Sequence, residues 1–474
     1  MLDPTTRLNA YIQNEGVWKL CRDAVEGEGA VQAGREIYLP RLGGQSDEAY
    51  DAYLLRGSFY PATGRTVDGL MGLVFRKNPT VDVPPGMEPW LKAITNDGKS
   101  LMTLANDLME EVLTVGRVGL LAEYPKTPDM GRPLTKAEAE SLNLRPYLAP
   151  YSAEAIIWWE HRLVGNQLVL YRVRLEETYV ENDEEDIQIR ELSIESGAYR
   201  QIIYRKGDTD WYVYDSFIPT KKGQALDRIP FFFLGPKRTT GEICKSPIEG
   251  LARVNISHFR NSCDLENGAH VSGVPTLVVI GADTEIDENG KRVPKVWQLG
   301  SDIAIELPQG GDVKFAQVEE GFGALERLMD RKEGQMAVLA IRILAQEKRD
   351  AETAETTSIK KGGESSILSR MAGSVSESLN EALQFIAEWG GITGEVKFEL
   401  NRDYLIVTID AQTIAAVREM WQAGGISHET LIGILKAGEL LPETANYKDE
   451  RDRIDAEPKL PGLDDGNEGA NVNQ

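Results

Sequence analysis

The sequence predicts an α+β protein in which helical segments alternate with antiparallel strands. Three observations support this prediction. Apolar residues recur at helical spacing in the first quarter of the chain. Residues 155–234 then change to period-two alternation with turn residues between the runs, which is typical of an antiparallel meander. Residues 273–320 are again rich in strand formers, and they lie between two long amphipathic helical patterns.

Length and composition indicate a globular protein with several hydrophobic cores. The chain has 474 residues, of which 41% are hydrophobic and 27% charged, and chains of this length usually divide into domains. No uninterrupted apolar run approaches the roughly 18 residues of a membrane span. Residues 1–14 lack the apolar middle of a secretion signal. We therefore expect no membrane partner and a protein that stays in the cytoplasm where it is made.

Charge and cysteine content argue against two kinds of site. A net charge of −23 disfavours a groove that grips phosphates tightly, although weak and scattered contacts with nucleic acid are compatible with it. Cys21, Cys244 and Cys263 are an odd, widely spaced set, which predicts free thiols packed as small apolar groups. The four histidines are equally scattered, so the sequence predicts no metal site.

The first 124 residues predict helices followed by a buried strand. Helical patterns cover Tyr11–Ala24, Asp47–Phe59 and Thr66–Phe75. Ser100 is a candidate N-cap for a further helix, which leads into an apolar strand at Leu120–Tyr124.

The meander is predicted to continue from Ala155 to Leu234. Its strand candidates are Ile156–Trp159, Leu168–Leu175, Ile202–Tyr204 and Trp211–Tyr214. The acidic run Glu181–Asp186 is interpreted as a solvated loop, because crowded carboxylates usually lie at a surface.

The middle of the chain predicts two long helices around a small β module. Ser246-Pro247-Ile248-Glu249 combines a serine N-cap, a proline in the first turn and a glutamate three residues on, which is a strong helix start. The helix should run to about His270. Its apolar stripe comprises Ile248, Leu251, Ala252, Ile256, Phe259 and Cys263. The second helix begins near Phe322, and its apolar side comprises Leu325, Leu328, Met329, Met336, Leu339 and Ile343.

Between these helices, strands are predicted at Thr276–Ile280, Val293–Leu299 and Ile303–Leu307, with a hairpin tip at Glu288-Asn289-Gly290.

The last part of the chain predicts one long helix and a short helical end. Residues 346–363 are polar and are expected to form a loop. The helix after them has one apolar stripe, which comprises Leu368, Met371, Val375, Leu379, Leu383, Ile386 and Trp389. A strand pair (Val396–Leu400 with Leu405–Ile409) and two helices (Thr413–Ala423 and Ser427–Lys436) should follow. Residues from Asp455 onward are acidic and rich in Gly and Asn, so we expect disorder there.

Motifs that would carry catalysis are incomplete. Gly98-Lys99-Ser100 lacks the earlier glycine of a phosphate loop, because position 93 is Ala. Residues 285–290 space their oxygens like a calcium loop, but Val296 stands where a bidentate glutamate is required. The sequence also has no nucleophile-elbow motif. We therefore expect no catalytic, cofactor-binding or metal-binding residue, and a chain that is not an enzyme.

The order of elements and several local sequences resemble the portal proteins of tailed bacteriophages. The resemblance is to a portal branch that is common in prophages and often described only as a domain of unknown function. The matching stretches are Trp18–Asp23, Tyr38-Leu39-Pro40, Thr66–Pro79, Tyr151–Trp159 and Pro247–Pro275. The likeness covers most of the chain up to the last short helices.

The resemblance implies a phage portal fold with an α/β wing, a two-helix stem, a small β clip, a long spine helix and a short helical crown. The implied segments are a wing over 1–245, a stem helix over 246–272, the clip over 273–320, the returning stem helix over 321–345, a tunnel loop over 346–363, the spine helix over 364–392, wing strands and crown over 393–442, and an acidic, largely disordered tail over 443–474.

The resemblance also implies a function and partners. It implies a homo-oligomeric ring of about twelve subunits at one vertex of a virion capsid, assembled in the bacterial cytoplasm. Double-stranded DNA would pass through the ring without sequence specificity during packaging and ejection. The implied partners are the terminase motor, the major capsid or scaffold protein, and a head-completion or adaptor protein. The clip would pair its strands between neighbouring subunits, because so few short strands are not stable alone.

Seven basic residues are candidates for DNA contact. Arg327, Arg331 and Arg342 fall within about 60° of one another on the returning helix, opposite its apolar stripe. The loop candidates are Lys348, Arg349, Lys360 and Lys361. An alternative remains open, in which these residues are solvated or form inter-subunit ion pairs with the nearby acids Glu347, Asp350, Glu352 and Glu355.

Two other functions remain as alternatives. One is a different structural phage protein, such as a tail or baseplate component, and a ring image would distinguish it from a portal. The other is a phage-associated enzyme with an unrecognised site in the sheet of residues 155–234, which a pocket with perturbed carboxylates would favour.

Overall fold

The computed structural model describes most of the chain. The described residues are 3–126, 135, 138, 141–273, 276–281, 285–286, 291–293, 307, 309–316, 322–344, 366–404, 411–437, 440–441 and 445–456. They belong to two compact units, Met1–Asp403 and Tyr404–Gln474. Helices and strands are mixed along the larger unit, as the predicted α+β class requires.

Nine of the eleven described α-helices lie close to predicted positions, whereas Glu28–Ala33 and Tyr447–Ala456 were not predicted. They are α1 (Asn9–Glu26), α2 (Glu28–Ala33), α3 (Asp47–Arg56), α4 (Ala62–Val74), α5 (Leu101–Thr114), α6 (Glu249–Gly273), α7 (Phe322–Leu344), α8 (Ile367–Trp389), α9 (Ala411–Gln422), α10 (His428–Ala437) and α11 (Tyr447–Ala456), with short 3₁₀ turns at Arg35–Ile37 and Glu88–Lys92. The Ser100 hydroxyl caps α5 by accepting a hydrogen bond from the Thr103 amide at 3.2 Å, as the sequence predicted.

A five-stranded antiparallel meander is the largest sheet. Its strands follow chain order and are β4 (Ile156–Val164), β5 (Gln167–Glu181), β6 (Glu184–Glu195), β7 (Ala198–Lys206) and β8 (Trp211–Phe217). The predicted meander is therefore confirmed in this region. The strand β6 was missed, because its charged residues obscure the period-two pattern.

The acidic run Glu181–Asp186 is exposed to solvent, as predicted, and it forms the turn end of a hairpin. β5 and β6 remain paired up to Glu181 and Glu184. Between them Asn182 and Asp183 have φ angles of 54° and 65°. Asn and Asp tolerate this left-handed conformation better than other non-glycine residues, and a two-residue turn of this kind matches the twist of a hairpin.

Phe231–Leu234, named β11, belongs to a different sheet from the one predicted. It pairs antiparallel with β2 (Val118–Glu123), which also pairs with β3 (Tyr147–Ser152). β2 is buried along its whole length, and α8 packs against both β2 and β11. The apolar strand β11 is therefore hydrogen-bonded to the buried strand β2 beneath α8, and it does not extend the meander.

Two further short pairings lie outside the two larger sheets. β1 (Thr80–Asp82) pairs antiparallel with β16 (Lys397–Glu399), so the strand predicted at Val396–Leu400 has a partner more than 300 positions away. Its predicted partner, residues 405–409, lies outside the described residues. β9 (Thr220–Lys221) and β10 (Gln224–Ala225) form a small hairpin.

The residues between α6 and α7 contain two short antiparallel pairs. β12 (Thr276–Ile280) pairs with β15 (Asp312–Ala316), and β13 (Glu285–Ile286) pairs with β14 (Arg292–Val293). The sequence predicted β12 but missed β15. The predicted hairpin tip and the strand of residues 303–307 fall almost wholly outside the described residues.

In the smaller unit, α11 corrects the expectation of a disordered tail from residue 443. The Asn446 side chain accepts a hydrogen bond from the Asp449 amide at 2.8 Å, which caps the helix. The ring of Tyr447 lies 4.9 Å from that of His428 in α10. Because the cap and this contact fix its first turn, a charged segment with little apolar surface is helical. The expected disorder after it lies outside the described residues.

The apolar stripe of α6 is the centre of the larger unit. All six of its predicted residues are buried, and the helix packs against α1, α3 and α4. Gly57, after α3, approaches so closely that a Cβ atom there would overlap the thiol of Cys263. All three cysteines are buried and free, as predicted.

A buried asparagine ties α6 to the start of α4. Asn255 is fully buried. Its side-chain oxygen accepts hydrogen bonds from the amide and hydroxyl of Thr63 at 3.1 and 2.7 Å, and its amide donates to the Tyr60 carbonyl at 2.8 Å. This one side chain therefore pairs the Thr63 amide, which lies in the first turn of α4 and has no partner within the helix, and it gives the Tyr60 carbonyl a second hydrogen bond beside that from the Ala62 amide at 2.8 Å.

We expect Asn255→Ala to lower the free energy of unfolding by about 2 kcal/mol, because it leaves the buried amide and hydroxyl of Thr63 without their hydrogen-bond acceptor. Denaturant unfolding followed by circular dichroism measures this change. Arg253→Ala, on the exposed side of the same helix, should change the free energy by less than about 0.5 kcal/mol. Equal losses in the two variants would contradict the assigned role.

Candidate nucleic-acid interface

The helices α6 and α7 form an antiparallel pair in the larger unit. Gly268 near the end of α6 faces Phe322 at the start of α7, where a Cβ atom would overlap the phenyl ring. Farther along, Lys332 Nζ donates to the Ser257 carbonyl at 2.8 Å. The small glycine and this hydrogen bond hold the two helices in close register.

A histidine is buried where the two helices meet. His258 is 3% exposed, and its Nε2 lies 3.3 Å from Glu333 Oε1. The contact is close enough for an ion pair, but it is not aligned for a hydrogen bond, so neither ring nitrogen has a hydrogen-bond partner among the described residues. Burial lowers the pKa of His258 below its ordinary value of 6.5, with an opposing contribution from Glu333.

The three arginines predicted on α7 are exposed on one side of the helix. Arg327, Arg331 and Arg342 are all exposed, whereas Met336 and Ile343 are 2% and 4% exposed. None of the three arginines has an ion-pair partner within the described ranges. Their positive charge is therefore available to a group outside the described residues.

The same helix also exposes apolar side chains, which differs from the predicted stripe. Leu328, expected to face inward, is 45% exposed. Val338 and Ile341 are 52% and 64% exposed, and by helical geometry Val338 lies within about 40° of each arginine. Val254 of α6 lines a groove next to it. Apolar side chains between arginines favour a protein neighbour on this face over open water.

The four loop candidates, Lys348, Arg349, Lys360 and Lys361, lie outside the described residues. The described chain stops at Leu344 and resumes at Ser366. The Ser366 hydroxyl accepts a hydrogen bond from the Ser369 amide at 3.1 Å and caps α8. The seven-residue stripe predicted for α8 is buried throughout.

Two carboxylates at the junction of the meander and the three-stranded sheet, Glu177 and Glu123, are paired within the fold. Arg190 contacts Glu177 at 2.7 Å and Glu123 at 3.0 Å, and the hydroxyl of Tyr151 donates to Glu177 at 2.6 Å. These contacts join the five-stranded sheet to the three-stranded sheet. Structural ion pairing accounts for this cluster, so it does not favour the enzyme alternative.

Sequence analysis missed a second basic surface. Lys237, Arg238, Lys245, Arg370 and Arg402 line one cleft. They come from three segments that are far apart in sequence, so no local run of charge indicates them. Only their shared position in the fold brings them together.

Among the described residues, no group of three or more His, Cys, Asp or Glu side chains is placed to hold a metal ion. The helices of the described part are all too short or too polar to cross a membrane.

The middle of the chain matches a known family model. Residues 247–390 match the model described as a domain of unknown function, DUF4055. The match extends from two residues before α6 to one residue after α8. No curated protein matches the sequence.

Two solved structures resemble the chain at low similarity. The neck of a native GTA particle, computed with C12 symmetry, has a TM-score of 0.38 and 12% identity, and covers 85% of this chain and 98% of that one. The neck of an empty GTA particle, computed with C6 symmetry, has a TM-score of 0.38 and 13% identity, and covers 89% and 100%. TM-scores at this level are too low to assign a fold.

The buried His258 predicts a pH dependence of stability. Its pKa is lowered in the folded chain, so the unfolded chain takes up a proton that the folded chain resists. The contribution of His258 to the free energy of unfolding is therefore complete at pH values above the pKa of the unfolded chain, which is about 6.5. This contribution decreases as the pH falls below that value. His258→Gln should flatten this decrease between pH 5 and 7, as measured by denaturant unfolding. His270→Gln, at an exposed position of the same helix, is the control. Parallel curves for all three proteins would show that His258 is not the cause.

Proposed function

We propose that this chain is the subunit of a portal ring in a tailed-phage or prophage virion, through which double-stranded DNA is packaged and ejected. The observation that carries the proposal is the order of α6, a small strand module, antiparallel α7, a polar segment and the long buried helix α8. This order matches the stem, clip, returning stem, tunnel loop and spine of the portal fold that the sequence resembles. The family match covers the same segment.

Exposed apolar surface on the α6–α7 pair supports assembly into a ring. A single chain leaves Leu328, Val338 and Ile341 of α7 partly in water, and burying such side chains against a neighbour is favourable by roughly 25 cal/mol per Å². In the ring, this face of α7 contacts the next subunit, and its arginines border that contact. A heterologous contact that closes on itself produces a ring of identical subunits.

The strand module supports the same assembly. The described pairs β12–β15 and β13–β14 are two-stranded, and such pairs are marginally stable alone. Val278 and Ile280 of β12 are 40% and 47% exposed. In the proposed ring, strands of neighbouring subunits cover this surface and pair their open edges.

Each proposed partner has a separate role in DNA packaging. The terminase docks at the strand module and supplies ATP hydrolysis, so the chain itself performs no reaction. The major capsid or scaffold protein surrounds the residues before α6, and a head-completion or adaptor protein attaches after packaging. DNA passes through the ring without sequence-specific contacts. A net charge of −23 on each chain disfavours tight binding of the phosphate backbone, so the DNA can slide.

Negative-stain electron microscopy of the purified full-length protein tests the proposal. We expect turbine-shaped particles with a central hole, and light scattering should give a mass about twelvefold that of the 52.5 kDa chain. Val338→Asp together with Ile341→Asp should shift the protein toward monomers, because both charges would lie in the subunit contact. Arg65→Asp together with Lys92→Asp, at exposed positions elsewhere, should leave rings. A monomeric parent protein, or an elongated assembly without a hole, would refute the portal assignment and favour another structural virion protein.

The polar segment between α7 and α8 is the proposed DNA contact. Replacing Lys348, Arg349, Lys360 and Lys361 together with alanine should leave the ring intact and reduce packaged or retained DNA, because each phosphate contact is repeated around the ring. DNA content per particle, measured by quantitative amplification after nuclease treatment, reports the change. The matched control replaces four exposed cations of the larger unit, Arg65, Lys92, Arg162 and Lys206. Full-length packaged DNA at parental levels in the loop variant would refute this contact.

A further inference from the structure

The charges of α7 are separated onto two sides of the helix. Arg327 and Arg331, four positions apart, lie on one side. Glu326 and Asp330 each precede one of these arginines by one position, so they lie about 100° around the helix from it and about 1.5 Å along the axis. All four side chains are exposed, and none has an ion-pair or hydrogen-bond partner among the described residues. The helix therefore has a basic side and an acidic side at the same level.

Neither side is neutralised within the helix. Positions four apart are neighbours on a helix surface, and like charges at this spacing destabilise the helix. Arg327 stands at this spacing from Arg331, and Glu326 stands at this spacing from Asp330. A glutamate four positions before an arginine would have given a stabilising pair instead. Both like-charged pairs are therefore left for compensation by a group outside α7.

The basic side of α7 borders an open groove between α6 and α7. The groove has a volume of about 550 Å³, and no carboxylate is among its described lining residues, which include Val254, Arg331 and Arg342. Gly334 also lines it and lies inside α7, where glycine is unfavourable. A Cβ atom there would touch nothing within 4 Å, so the described chain does not itself require glycine at this position. The close approach of a second chain along the groove gives a physical reason for it.

We propose that the basic side of α7 docks on the acidic side of α7 in a second copy of the chain, so that Arg327 and Arg331 pair with Glu326 and Asp330 of that copy. This inference rests on the proposed ring, and it names the surface that faces the arginines there. The two surfaces differ, as a heterologous contact requires. Each copy carries both of them, so the contact can be repeated around a closed ring.

The level of the charged residues fits a ring axis that runs along α7. Rotation about an axis leaves every residue at its own height, so neighbouring copies meet at equal heights. The acidic and basic pairs satisfy this condition because they are offset by a single residue. Ile341 lies between the two sides by helical geometry and is 64% exposed. The same contact therefore buries apolar surface.

The charge pattern favours a second copy over DNA as the occupant. A duplex would compensate Arg327 and Arg331, but its phosphates would be repelled by the carboxylates about 100° away on the same helix. A second copy compensates both pairs at once, since each chain offers the charge that its neighbour lacks.

Two charge-reversed forms of the full-length protein test the contact. Arg327→Glu with Arg331→Glu makes both sides of α7 acidic, and Glu326→Lys with Asp330→Lys makes both sides basic. Either form alone places like charges in every contact, so the concentration at which half of the chains are assembled should rise about tenfold or more. Light scattering measures this concentration. An equimolar mixture should assemble like the parent protein, because alternating chains restore opposite charges at every contact.

Matched controls carry the same changes of charge at exposed positions elsewhere. They are Arg65→Glu with Lys92→Glu, and Asp208→Lys with Asp210→Lys, and both should assemble like the parent protein. Circular dichroism of dilute protein establishes that each variant is folded. Arg327→Ala with Arg331→Ala removes charge without reversing it and should have a smaller effect than the reversal.

The outcomes separate this contact from the proposed function. Parent rings that are unaffected by either reversal, or a mixture as weak as its components, would overturn the contact alone. An effect of the arginine reversal without one of the acid reversal would assign the arginines to another partner, such as DNA, and would also overturn it. A monomeric parent protein would refute the contact and the portal assignment together. A non-ring oligomer that the reversals disrupt and the mixture restores would support the contact and refute the portal assignment.

Discussion

The burial of one face of α6 is the constraint on which the larger unit depends. Its stripe from Ile248 to Cys263 fits against helices from the first 75 residues, and the hydrogen bonds of Asn255 fix its position along α4. The start of the helix is fixed as well, because the Ser246 hydroxyl donates to the Thr114 carbonyl at 2.7 Å and contacts the Cys21 thiol at 3.5 Å. An α6 anchored at several points can carry α7 as a rigid partner.

The long helix α8 is the second constraint, and it connects packing with charge. Its apolar stripe covers the three-stranded sheet, while its first turns carry Arg370 and Ser374 into the basic cleft. Because one side of α8 packs on the sheet, the residues on its other side are held at the cleft.

Positive charge in this acidic chain is concentrated in separate places. The arginines of α7 lie on an exposed face with apolar neighbours, whereas the cleft gathers its cations around a cavity. The first arrangement suits a contact with another protein chain, whereas in the second Arg238 pairs with Glu377 and Glu381, and Lys245 pairs with Glu249. Neither is a continuous basic track.

The sequence by itself determined most of the helices, the presence of the meander, and the buried faces of α6 and α8. Local rules are sufficient there: a serine cap fixes a helix start, and helical spacing of apolar residues selects the buried side. The exposed position of Arg327, Arg331 and Arg342 also followed from helical spacing. The same rules failed where charge hid the pattern, as in β6, and where capping and a ring contact made a charged segment helical, as in α11.

Only the tertiary structure decided which distant segments meet. β1 pairs with β16 and β11 pairs with β2, although the sequence favoured nearer partners, because strand pairing is chosen by the global packing of both faces. The exposure of Leu328 was also decided by the tertiary structure. The spacing of apolar residues shows which side of α7 faces its neighbour, but it does not show how much of that side the neighbouring helix covers. The basic cleft could not be predicted either, because Lys237, Arg370 and Arg402 belong to separate segments and converge only when α8 packs onto its sheet.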